Sequence, residues 1–151
     1  DNPAENMLFK NMNYEDNLCL TSDHLLKGLW HRKETRKAIA KEQMGEKMPG
    51  KDVAVKNMTI YQKYQLIYGR ILLQHPDIVV CIHPFQNTDL KLRTQIYQLM
   101  KELLDHGIAV VIVTVNYQNV LLLADRLIFV KDGKSLGILK RNEFEYLLSE
   151  T

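Results

Sequence analysis

Apolar positions along the chain change their spacing several times, and each change marks an element. Leu8, Phe9, Met12 and Leu18 are apolar anchors in an opening stretch, Asn6 to Leu20, without strong periodicity. Ser22-Asp23 can cap a helix whose buried stripe starts with Leu25, Leu26, Leu29 and Trp30 and continues past Ala38 and Ile39. The pattern lapses from Gly45 to Val55 and resumes near Thr59, where Tyr64, Ile67, Tyr68, Ile71 and Leu72 recur at helical spacing up to His75-Pro76. Ile78 to Ile82 is a continuous apolar run and predicts a strand buried on both faces. Leu92, Ile96, Leu99, Met100, Leu103 and Leu104 then form the clearest amphipathic stripe, stopped by His106-Gly107.

Ile108 to Val115 predicts a second apolar strand, Tyr117 to Ala124 a short helix, and Arg126 to Lys131 a third strand. Asp132-Gly133 is a hairpin signal leading into Lys134 to Leu139, and Asn142 with Glu145 suggests a capping box for a last helix. The order predicts an α/β fold: a mainly parallel sheet with an antiparallel edge, preceded by a helical segment. The expected division is 1–58, helical segment and linker, and 59–151, α/β core.

Composition adds limits. At 151 residues, 46% hydrophobic and 25% charged, the chain is long enough for one domain with a core. No apolar run approaches the roughly 20 residues of a membrane helix, and the first residues do not read as a secretion signal. Asp1-Asn2-Pro3 opens the chain without methionine, so an excised piece of a longer protein is expected. Cys19 and Cys81 have no partner at metal spacing, so no metal site is indicated and a reducing compartment fits best. Residues 27–51 carry eight Lys or Arg against three Glu. No aromatic stacking platform accompanies that charge, so a solvated helix face is expected rather than a nucleic-acid surface.

Two stretches bear on chemistry. Gly45-Glu46-Lys47-Met48-Pro49-Gly50-Lys51 matches G-x-x-x-x-G-K, but Asp52 follows where a Ser or Thr hydroxyl would hold magnesium. It reads as a surface loop. The other stretch is Pro76 to Asp89, because open α/β folds place chemistry beyond the carboxyl end of a central strand.

Over nearly all of its 151 residues the chain resembles the ATP-binding cassette domain of bacterial sugar importers of the ribose and galactose type. Asn57-Met58-Thr59-Ile60-Tyr61-Gln62-Lys63-Tyr64-Gln65 occupies the place of the family's N-L-S-G-G-N-Q-Q-K segment. Ile82-His83-Pro84-Phe85 stands for Asp-Glu-Pro-Thr, and Asp89 falls on the family's downstream aspartate. Gly107 to Val113 is similar to "GVAVIMV", and Ala124 to Lys134 to "SDRILVMREGR". Leu8 to Leu18 is similar to "GLFLDMSVRENL", which opens the helical subdomain of the second cassette. By this alignment the chain starts after the family's phosphate loop.

The resemblance implies a partial P-loop NTPase-like core whose relatives bind ATP and magnesium and hydrolyse ATP as dimers with membrane transporter subunits. This chain departs at the positions of chemistry. Ile82 replaces the magnesium aspartate, His83 replaces the glutamate that polarises water, and Thr114 begins a switch segment without histidine. Ile60 and Tyr61 replace glycines that let a phosphate approach the backbone. Thr59, Gln62 and Asp89 are the remaining nucleotide-binding candidates. The expectation is a module without hydrolysis and with no cofactor of its own, cytoplasmic or peripheral to the inner membrane face, pairing with a protein partner or a second copy. The alternative is an excised part of an active importer ATPase.

Overall fold

A computed structural model describes residues 3–20 and 53–144, which divide into two compact units. The helix expected over residues 22–41, the basic segment 27–51 and the Gly45–Lys51 loop lie outside the described residues. So do the residues beyond Phe144, with Glu145 of the expected capping box among them.

The first unit takes in residues 1–80 and 87–111. Two short helices, α1 (Pro3–Asn6) and α2 (Tyr14–Cys19), pack on α3 (Ile60–Gln74), which also packs on α4 (Leu90–Asp105). Of the expected α3 stripe, Tyr64, Ile67 and Tyr68 are buried and Ile71 and Leu72 half-buried, while Leu66, outside that stripe, is fully buried. Helix α4 adds Ile96, Met100 and Leu103 to the core, and the earlier segments add Leu18 and Val55.

The opening segment is fastened by a polar residue. Asn17 is fully buried, accepts from Phe9 N at 2.9 Å, and donates to Phe9 O at 2.9 Å and to Asn13 O at 3.2 Å. Phe9, expected as an apolar anchor, is instead 53% exposed, because its backbone rather than its ring is what the fold grips. The half-buried Arg70 reaches the same segment and donates from Nη1 to Met7 O at 2.7 Å. Val55 N and Lys56 N complete the attachment by bonding Met12 O and Lys10 O.

Both long helices end as their sequences require. Pro76 disfavours a helical His75, which adopts φ 45 and donates its N–H to Ile71 O and Leu72 O. After α4, Gly107 adopts φ 78, Gly107 N bonds Leu104 O, and Ile108 N bonds Leu103 O. That is a Schellman closure, and its apolar partners Leu103 and Ile108 are both buried.

Strand β1 (Ile78–Ile82) pairs with β2 (Ala109–Val113). Ala109 N bonds Asp77 O at the start of both strands and His83 N bonds Val113 O at their ends, so the strands run parallel. The expected burial of β1 on both faces is not observed. Ile78 and Val80 are each 59% exposed and Ile82 is 67% exposed, while Val79 and Cys81 are half-buried. The pleat sends alternate side chains to opposite faces, and among the described residues this sheet has only two strands, so one face stays open.

The second unit takes in residues 81–86 and 112–151. Here β3 (Arg126–Lys131) and β4 (Lys134–Lys140) form an antiparallel hairpin with a register shift between Phe129 and Val130. Asp132 at φ 50 and Gly133 at φ 73 supply the positive φ angles that a tight two-residue turn demands. The segment expected as a helix from Tyr117 is a single 3-10 turn, Tyr117–Val120. Asn116 caps it by accepting from Gln118 N, and Tyr117 meets Phe129 edge-to-face with ring centroids 5.7 Å apart. No helix among the described residues is long and apolar enough to cross a membrane.

Burial of Tyr64 in α3 raises its phenol above the usual tyrosine value. The unfolded chain therefore ionises first as pH rises, and stability falls from about pH 9 upward until the folded phenol ionises too. Urea midpoints measured between about pH 8 and pH 11 should decline, and Tyr64→Phe should flatten part of that decline. An unchanged slope in the variant would assign it to other groups.

Candidate functional site

The first turns of α3 and α4 line one cavity of about 340 Å3, formed by Thr59, Ile60, Tyr61, Asp89, Lys91, Leu92 and Gln95. Thr59 caps α3 with a reciprocal box: its hydroxyl accepts from Gln62 N at 3.3 Å and the Gln62 side chain accepts from Thr59 N at 2.9 Å. Asp89 caps α4 by accepting from Leu92 N at 2.7 Å. Two helix N-termini at one cavity give it positive character, and the Lys91 ammonium adds to it while the Asp89 carboxylate opposes it.

The sequence candidates Thr59 and Asp89 thus come together at this cavity, and Gln62 acts just behind it. What a phosphate needs, however, is bare first-turn N–H groups. The caps already occupy Thr59 N, Gln62 N and Leu92 N, and the side chains of Ile60 and Tyr61 line the space that glycines would leave open. Sequence reasoning missed Lys91 and Gln95. Their positions two and six residues after the capping Asp89 were the available signal, since a first-turn lysine one turn from a glutamine shares a helix face. Replacing Thr59 by alanine should cost about 1 kcal/mol, with Gln62→Ala adding little on top because the two bonds form one reciprocal unit. Chemical denaturation of the single and double variants checks this, and additive costs would refute the coupled box.

Ile82, His83 and Thr114 belong to the second unit. His83 follows β1 at φ 48, its N–H bonds Val113 O at 2.8 Å, and Gln86 N turns back onto its carbonyl at 3.0 Å. A non-glycine residue in that conformation costs about 1–2 kcal/mol, so the turn into the buried Pro84 and Phe85 holds it there. Thr114, next to Val113, accepts from Asn116 N at 3.2 Å in a local turn.

These residues do not fit magnesium. The cation takes oxygen ligands in octahedral array, and the Ile82 alkyl group and His83 imidazole offer none. Among the described residues no three His, Cys, Asp or Glu side chains gather as a metal group.

The fold is that of an ATP-binding cassette core, in part. It superposes with TM-score 0.75 on cbiO1 from Clostridium perfringens, part of the ABC transporter complex cbiONQ, covering 97% of this chain and 57% of that one at 20% identity. It also superposes with TM-score 0.62 on the ATP-binding cassette MJ0796, in a dimeric post-hydrolysis state bound to ADP and Pi, covering 89% of this chain and 59% of that one at 22% identity.

Sequence comparison narrows the likeness to sugar import. The chain is 31% identical over 97 residues to a putative ribose/galactose/methyl galactoside import ATP-binding protein of Hahella chejuensis, covering 64% of this chain and 19% of that protein. Its counterpart in Geobacillus kaustophilus is 27% identical over 140 residues, covering 90% and 28%. The ribose import ATP-binding protein RbsA of Clostridium perfringens is 26% identical over 142 residues, covering 93% and 27%. The chain is therefore related to sugar-import ATP-binding proteins, and spans 19% to 28% of the length of these three. No family model matches it.

Proposed function

We propose that the chain is a degenerate cassette segment that does not hydrolyse ATP and serves as a structural or regulatory interaction module, derived from a sugar-import ATPase subunit. In this reading residues 59–151 represent the C-terminal part of the core and 1–58 a helical-subdomain-like segment. The carrying observation is the tip of β1. Where the resemblance calls for a magnesium aspartate and a water-polarising glutamate stand Ile82, an alkyl side chain 67% exposed, and His83, held in a turn by its own backbone. The filled caps of α3 and α4 support the same reading, since they consume donors that a phosphate would use. A protein partner or second copy, at the inner face of the membrane or in the cytoplasm, belongs to this proposal and is supported by the relatives' names as import ATP-binding proteins.

Mg-ATP turnover decides it. The chain, alone and joined to whatever sequence its gene encodes upstream, should release phosphate no faster than buffer, and calorimetry should show no magnesium-dependent heat. Turnover by the extended form would overturn the proposal in favour of the excised part of an active importer ATPase. That second reading rests on the retained Asp89 and on the cavity it shares with Thr59.

A further inference from the structure

We draw no further inference here: the strongest candidate, the aliphatic face of the β3–β4 hairpin carrying Ile128, Val130, Leu136 and Ile138, is an unpartnered sheet surface, and nothing among the described residues shows what covers it.

Discussion

Truncating Leu103 to alanine should destabilise the first unit by about 3–4 kcal/mol, the largest effect expected of any single substitution described here. Leu103 is fully buried, lies in the last turn of α4, and accepts the Ile108 N–H that closes the helix end. Removing its branched end therefore costs the transfer energy of the lost carbons, a cavity, and the apolar contact that accompanies the Schellman closure. Urea denaturation should show a lower midpoint at unchanged slope. Ile82→Ala is the control. It removes the same number of aliphatic carbons, but from an exposed position, and should stay within about 0.5 kcal/mol of the parent. Equal losses at the two positions would mean that the β1 tip is covered in solution.

Asn17→Leu should cost about 2 kcal/mol, although the two side chains are close in size. The replacement removes the carboxamide from three backbone groups, of which Phe9 O keeps Met12 N and Asn13 O keeps Asn17 N, so Phe9 N alone loses its partner. An unmade buried hydrogen bond costs about 1–3 kcal/mol per group, while leucine gains only what its extra apolar surface returns. Amide exchange should locate the damage, with the Phe9 N–H losing protection first. A variant as stable as the parent, with that amide still protected, would show that another group fastens the segment.

These two residues also show what a sequence discloses. Leu103 was legible because it recurs with Ile96, Leu99 and Met100 at the spacing of one helix face, and only burial explains such a stripe. The same logic exposed α3, its end at His75-Pro76, and the Asp132-Gly133 hairpin, where backbone sterics leave few alternatives. Asn17 was not legible. A buried carboxamide is chosen by the backbone groups it must satisfy, here eight residues earlier in the chain, and no periodicity records that pairing.

The open face of β1 was hidden for a different reason. Ile78 to Ile82 reads the same whether its strand has neighbours or cover on one side or on both, since an apolar run reports only what would tolerate burial. Of the candidate site, Ile82 and His83 at the end of the apolar run could be read directly from the letters. The left-handed turn of His83 and the reciprocal bond between Thr59 and Gln62 became visible only with coordinates. Lys91 and Gln95 join Thr59 and Asp89 at the cavity because two helices converge, which is tertiary information.

The exposed valines and isoleucines of β1 and β2 bear on how the chain behaves as a solute. Aliphatic surface attracts aliphatic surface less strongly in the cold, and more strongly when sulfate or another excluded salt is added. Ile78, Val80, Ile82, Val111 and Val113, among the exposed aliphatic side chains, thus act on solubility in opposite directions in the cold and in sulfate. Cooling should keep the chain dispersed, and sulfate should lower its solubility.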